Sequence, residues 1–339
     1  MQTKLPLISI RGMKKKENKN VSGKAKDVIL SQAEGQAQGE YHTSVLLHEC
    51  IEGLAIKPEG VYVDVTFGGG GHSAAILQKL GKKGNLFAFD QDADALNNAP
   101  ADERFTLIHA NFRNLKRFLR VHNVPGVDGI LADLGVSSWQ FDTAERGFSY
   151  RFDGPLDMRM NRLTEKTAAT VLNTYGADDL QKMFGEYGEV RNAKTLANAI
   201  VDARSSQPLE TIGDLKSIAE QNRMGEAHKY LAQVFQAIRI EVNEELGALK
   251  DFLQQSVEVL NPGGRLVVLT FHSLEDRLVK NLIKNGNFED EPAKDFFGHF
   301  KLNLKAVNKK PITATTEELK QNSRSRSAKL RIAEKVETK

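Results

Sequence analysis

The chain has 339 residues, enough for about two domains. Its 40% hydrophobic and 27% charged residues are the mix of a protein that builds a core, which excludes wholesale disorder and a collagen-like chain. The formal charge of +3 is small, and one cysteine, Cys50, excludes an internal disulfide framework and a multi-cysteine zinc site.

Residues 1–40 carry eight Lys/Arg against four Asp/Glu and show no periodicity, so they read as a disordered basic extension. Residues 301–339 carry eleven against four, so a mildly acidic body lies between basic ends. Such ends suggest contact with a polyanion, although solvated tails account for the first forty residues as well. The early apolar stretch Leu5–Ile10 is short and precedes its charges, unlike a secretory signal. No apolar run approaches the roughly 18 residues of a membrane span, so no membrane is expected and the protein reads as cytoplasmic.

Order is expected from Tyr41, with Ser44 capping a helix whose apolar face holds Leu46, Leu47, Cys50, Ile51 and Leu54. Val61–Val65 reads as a strand, followed by a glycine loop and a helix over 73–80. Strands come next at Leu86–Phe89 ending in Asp90, at Phe105–Ile108, and at Val127–Ala132 ending in Asp133. Short apolar strands alternating with helices predict an α/β, doubly wound, Rossmann-like parallel sheet. From 141 to 228 only helices are expected, one capped by Thr164, one opened by Asp178 or Asp179, and one broken at Ser205–Pro208. A long amphipathic stretch runs from Leu231 to Leu249, Asn261–Gly264 is a turn, and Arg265–Thr270 is a fifth strand. The pattern predicts a discontinuous domain over 41–140 and 229–339 with an inserted all-helical domain over 141–228.

In a doubly wound sheet, ligands sit beyond the carboxyl ends of the strands. The loop after the first strand reads Asp64-Val65-Thr66-Phe67-Gly68-Gly69-Gly70-Gly71-His72-Ser73. A dinucleotide fingerprint fits it badly, because Ser73 stands where the third glycine belongs, and no phosphate loop is present. Asp90, nineteen residues after Gly71, is placed to accept hydrogen bonds from ribose hydroxyls, or to cap a helix. A nucleoside without a phosphate grip fits S-adenosylmethionine better than NAD. After the fourth strand, Asp133-Leu134-Gly135-Val136-Ser137-Ser138-Trp139-Gln140 leaves room for a substrate. After the fifth, His272, Glu275, Asp276 and Arg277 make a turn dense in titratable groups, some of them candidates for structural ion pairs.

Cys50 lies on a packed face ahead of the first strand, the wrong place for a thiolate that adds to a pyrimidine ring. Direct transfer to a nitrogen or oxygen is the expected route, and it needs alignment and no metal. No H-E-x-x-H or other metal-ligand pattern occurs. Arg146, Phe148, Tyr150, Arg151, Phe152, Arg159 and Arg162 interleave base and ring at the start of the insert, as RNA contact or as a surface hairpin. Arg324, Arg326, Lys329 and Arg331 add further basic residues near the end, where Leu330 and Ile332 suggest an edge strand.

Several long motifs, in order, resemble one family. They are His42–Leu47, Thr66–Ser73, Asp133–Ser138, Arg146–Ser149, Gly154–Met160, Phe235-Gln236-Ala237, Phe271–Arg277 and Arg324–Ala328. The family is the MraW or RsmH group of bacterial 16S ribosomal RNA (cytosine-N4)-methyltransferases, and the likeness spans about residues 41–335. His228–Gln233 and Asn322-Ser323-Arg324 depart from the family's usual wording. The resemblance implies S-adenosyl-L-methionine as methyl donor. It implies the amino nitrogen of a cytidine in the decoding region of 16S rRNA as acceptor, within a small ribosomal subunit particle. Carried over by motif, the cofactor contacts fall on Gly70, Gly71, His72, Asp90, Phe112, Asp133 and Gln140. Asp133, Ser137 and Ser138 are the candidates to orient the amino group, with His272 and Ser273 next; Arg146, Arg151, Arg159, Arg324 and Arg326 are the candidates to hold RNA. Two other readings stay open: a methyltransferase acting on the nitrogen of another nucleic acid or a protein, and a non-catalytic assembly factor that keeps the fold. The sequence leaves the oligomeric state open.

Overall fold

The computed structural model describes residues 9–10, 44–292 and 302–337. Most of the expected extension over 1–40, and Tyr41–Thr43, lie outside the described residues. Eight strands form one sheet: β1 Ser9–Ile10, β2 Val61–Asp64, β3 Asn85–Asp90, β4 Phe105–His109, β5 Val127–Asp133, β6 Leu260–Thr270, β7 Leu304–Ala306 and β8 Lys329–Lys335. Their spatial order is β1-β4-β3-β2-β5-β6-β8-β7. The central five are parallel; β1 pairs antiparallel with β4 at one side, and at the other β8 pairs antiparallel with β6 and β7 antiparallel with β8.

The twofold periodicity of the strands builds two cores. Val63, Phe87, Phe89, Ile130 and Val268 face one side, with Leu249, Phe252 and Val279 packed on them. Tyr62, Leu86, Ala88, Leu131 and Val267 face the other, covered by Cys50, Leu54, Ile76 and Leu77. Helices therefore cover both faces, and the strands read as continuous apolar runs. The chain order turns back between β2 and β5, which is the switch point where such sheets bind ligands.

The helices are α1 Leu47–Leu54, α2 Gly71–Lys79, α3 Leu115–Val121, α4 Ser138–Asp142, α5 Ala168–Thr174, α6 Ala177–Gly188, α7 Ala193–Ser206, α8 Ile212–Gln221, α9 Ala227–Asn243, α10 Glu245–Val259, α11 Ser273–Asn285 and α12 Thr316–Gln321. No helix among the described residues is long and apolar enough to cross a membrane.

Several expectations change. Ser44 does not cap α1, whose first residue is preceded by Leu46 in the left-handed region, with its amide donating to Glu318 Oε1 at 2.8 Å. Thr167, not Thr164, caps α5 by accepting from the Thr170 amide. The amphipathic run 231–249 is two helices, broken at Glu244 with φ +51°. The Asn261–Gly264 turn is a bulge inside β6, where the register against β5 slips between Val127 and Gly129. Strand β8 is no edge, because β6 flanks it on one side and β7 on the other. Ser9–Ile10, inside the expected extension, pairs with Ile108 and Leu107 of β4.

The insert has a core of its own. Leu156, Met158, Val171, Leu180, Phe184, Leu196 and Ile200 pack with Leu231, Val234, Phe235, Ile238 and Val242 of α9. The expected boundary at 228 falls in the first turn of α9, whose apolar face belongs to this core, so we place the return to the sheet domain after Asn243.

Candidate functional site

Three parallel neighbours, β3, β2 and β5, each end in an acid: Asp90, Asp64 and Asp133. Beyond them opens a small cleft. Its walls come from the loops just past the carboxyl ends of the parallel strands: Thr66, Gln91, Asn111 and Phe112, Leu134 and Gly135, and Glu275. Met160 and Asn243 of the insert, with Glu245, Ala248 and Leu249, close the other side. The cleft therefore lies at the sheet's switch point, between sheet domain and insert.

The glycine loop is built on two of the acids. Asp90 accepts hydrogen bonds from the Gly68 amide at 2.8 Å and the Asp92 amide at 2.8 Å, which holds the loop against β3. Asp64 is buried and accepts from Ser73 Oγ at 2.7 Å and the Thr66 amide at 3.1 Å. Gly70 has φ +80°, a conformation that favours glycine, and a Cβ there would press on the Phe67 ring. Gly71 opens α2, and Ser44 packs against its Cα, which is the role Ser44 takes in place of a cap.

Asp133 receives only part of its hydrogen-bonding need. Its amide donates to Thr66 Oγ1 at 2.7 Å, but its Oδ1 is buried with no partner among the described residues. Its Oδ2 lies 3.6 Å from His72 Nδ1. His72 is buried, and its Nε2 sits 3.2 Å from the Val45 carbonyl; a carbonyl only accepts, so that nitrogen carries a hydrogen. Burial lifts the carboxyls of Asp90 and Asp133 to about 6 each, despite amide donors on the first and His72 beside the second. Burial also raises Asp64 above the usual carboxylate range. Acids held this way gain from a positively charged ligand, which stabilises the ionised form they are otherwise reluctant to adopt.

Phe112 is brought to the cleft, edge-on to Phe252 with ring centroids 5.4 Å apart. Gln140 is not free to meet a ligand. Its Oε1 accepts from the Ser137 amide at 3.0 Å and its Nε2 donates to Asp92 Oδ2 at 2.7 Å, so it braces the loop after β5. Ser137 caps α4, its Oγ accepting from the Gln140 amide at 3.2 Å. Ser138 is the next residue, half-buried.

His272 and Ser273 are drawn into the fold. His272 caps α11 in a capping box with Glu275, and Ser273 Oγ donates to Glu189 Oε1 at 3.1 Å. Ligand atoms of Glu245, His272 and Glu275 lie within 4.8 Å of one another. Arg239 grips both oxygens of Glu245, at 2.8 and 2.9 Å, so the cluster closes as an ion network. Glu275 is held below the usual range, against its burial, by His272 and Arg239.

The candidate RNA residues divide. Arg146 is 1% exposed, paired with Asp92 at 2.7 Å and Asp94 at 2.8 Å, and donates to the Arg159 carbonyl at 2.9 Å. It is a buried anchor of the insert and does not reach an RNA. Arg159 is tied back to Asp157 and to the Arg162 and Thr164 carbonyls. Arg151 and Arg324 both stack on Phe141, at 5.3 and 5.5 Å from its centroid, with Arg324 also on Asp142. Arg326 is exposed.

Sequence reasoning assigned no role to Asp64, Gln91, Asn111, Met160, Asn243 or Glu245. The acid that ends each of three apolar strands was a readable signal for Asp64. The remaining residues come together only through the fold, and no local pattern marks them.

The chain matches the model of the MraW methylase family over residues 39–336. It is 58% identical over 298 residues to ribosomal RNA small subunit methyltransferase H of Flavobacterium johnsoniae, covering 88% of this chain and 98% of that protein. It is 56% identical over 298 residues to the protein of the same name from Parabacteroides distasonis, covering 87% and 98%. Among solved structures, a putative rRNA-methylase from Clostridium thermocellum covers 87% of this chain and 99% of its own, at 12% identity and a TM-score of 0.41, too slight a likeness to carry an argument. With a matched region that includes the glycine loop, the three strand-end acids and the whole insert, this chain belongs to the MraW methylase family.

Proposed function

We propose that the protein transfers a methyl group from S-adenosylmethionine to the N4 amino nitrogen of a cytidine in the decoding region of 16S ribosomal RNA, acting on a small ribosomal subunit particle. The observation that carries this reading is the family match over residues 39–336, with near-full-length relatives named as small-subunit rRNA methyltransferases.

The cleft fits such a cofactor. Phe112 lines it, and Gln91, Leu134 and Gly135 of its wall directly follow the strand-end acids Asp90 and Asp133, the second with an oxygen that is buried and has no partner among the described residues. Gly70, Gly71, His72, Asp90, Phe112 and Asp133 would hold it, while Gln140 braces the loop beneath. When bound, S-adenosylmethionine supplies a methyl carbon made electrophilic by its sulfonium.

The chain's own residues do the rest. A cytosine amino group is conjugated with its ring and is a poor nucleophile, so it must be held in line with its lone pair exposed. Oδ1 of Asp133 is the acceptor for one amino hydrogen, and its negative charge stabilises the positive charge that develops on nitrogen. Ser137 and Ser138 stand nearby in the chain as further hydroxyl partners. After transfer the excess proton passes to Asp133, whose carboxyl near 6 and neighbour His72 suit it to hold a proton briefly.

Cys50 is fully buried, and burial pushes its thiol well above its ordinary value, so no thiolate is on hand for addition to a ring carbon. This supports the nitrogen as acceptor. A cytidine in a stacked helix does not reach the strand ends, so the target must be unpaired or flipped out. Nucleoside mass spectrometry of ribosomal RNA from cells with and without the protein tests the reading. Loss of N4-methylated cytidine supports it; an unchanged profile, or loss of 5-methylcytidine, overturns it.

A further inference from the structure

We propose that Trp139 is a stacking platform for an unpaired base of the RNA, beside the nucleotide that enters the cleft; this rests on the RNA methyltransferase reading above. Trp139 is the one tryptophan of the chain and is 63% exposed. Carried on a five-residue helix, the indole leaves a large aromatic surface open to a stacking base.

The ring is held in place from below. Its Nε1 donates to Asp94 Oδ2 at 3.4 Å, and the same Asp94 oxygen is paired with Arg146 Nη1 at 2.8 Å. Arg146 in turn donates to the Met160 carbonyl at 3.3 Å, and Met160 lines the cleft. The Ser137–Gln140 capping box fixes the helix that carries Trp139. The indole is thus tied through two side chains to the cleft wall, yet it is not among the residues that line the cleft. It stands outside the cleft, linked to Met160 of the cleft wall through Asp94 and Arg146.

The charge nearby suits a polynucleotide. Arg146 balances Asp94 beneath the ring. Two residues further on, Phe141 carries the guanidiniums of Arg151 and Arg324, and Arg326 is exposed beyond. A base on Trp139 would bring its strand near these cations, and a stacking ring with cations nearby is the combination that binds single-stranded RNA.

Because the chain has one tryptophan, its emission reports this site alone. The full-length protein is titrated with a synthetic RNA bearing the decoding-region stem and loop, with binding measured independently by anisotropy of a labelled copy. RNA should quench the emission along the same curve as the anisotropy, and S-adenosylhomocysteine alone should not. Trp139→Ala should weaken RNA binding about 5- to 100-fold, with Trp139→Phe recovering most of it and cofactor affinity unchanged by calorimetry. RNA binding without quenching, or full affinity in Trp139→Ala, overturns the platform and leaves the RNA reading standing. Quenching by S-adenosylhomocysteine makes the indole a cover for the cofactor's adenine and overturns it. Quenching by subunit proteins but not by RNA does so in favour of a protein partner. No RNA binding at all overturns both readings.

Discussion

Asp133 occupies a position that would be costly in a protein with nothing to do there. Its carboxyl is raised to about 6 by burial, so the folded state prefers the protonated acid. The stability due to this preference is present below about 4 and is lost as pH rises through about 6. Asp133→Asn keeps the shape and removes the titration. Its melting temperature should therefore gain on the wild type between about pH 4 and pH 7, while methyl transfer is lost. Parallel melting curves at every pH would show that the carboxylate is not held as described. Asp90 titrates in the same range and stays in both proteins, so the difference isolates Asp133. Both acids were legible as polar residues closing apolar strands. Arg146 was not, because an arginine set among aromatic residues reads as surface. Only the fold brings Asp92 and Asp94 to it. Arg146→Ala leaves a buried Asp92 without its cation and should cost about 3–5 kcal/mol by chemical denaturation.

Among the elements, the parallel strands stood out in the sequence because each is a short apolar run that the sheet buries on both faces. Their ends, and the helix ends, were harder to place, since caps depend on backbone angles that residue type sets only loosely. Glu244 splits one amphipathic run into α9 and α10 by entering the left-handed region, and its carboxylate pairs with Arg113 and Lys166. Nothing in its neighbours' polarity announces the break. Ala55 closes α1 in the same region, with φ +48°, and is exposed with its amide on the Glu52 carbonyl. Ala55→Gly relieves that strain and should stabilise the protein by about 0.5–1 kcal/mol. Gly147 is the opposite case: its φ is +72°, and a Cβ would collide with the Pro155 carbonyl. Gly147→Ala should lower the melting temperature by several degrees and loosen the entry to the insert, seen as faster hydrogen exchange over 147–160.

The whole molecule joins two cores on the sheet to a third in the insert, with the cleft at the seam. Discontinuity was legible because the strand pattern stops at Asp133 and resumes after 260. The extent of the insert was not, because α9 is amphipathic toward a core that the sequence does not locate. Removing one exposed cation that meets a phosphate lowers the salt slope of binding by about 1. Arg326→Ala and Arg151→Ala should each do so against the decoding-region RNA, leaving cofactor affinity unchanged; an unaltered slope would place the RNA elsewhere. Strand β8 brings a consequence in time. The residues that slot between β6 and β7 are 329–335, and Arg324 and Glu318 reach back to Asp142 and to the amide of Leu46. A nascent chain can build β2 through β5 and the insert before residues 329–335 have been made. It cannot finish the sheet beside the cleft, or brace the start of the domain, until those closing residues have left the exit tunnel. Synthesis itself thus acts as a clock that delays the finished sheet until β8 has been delivered.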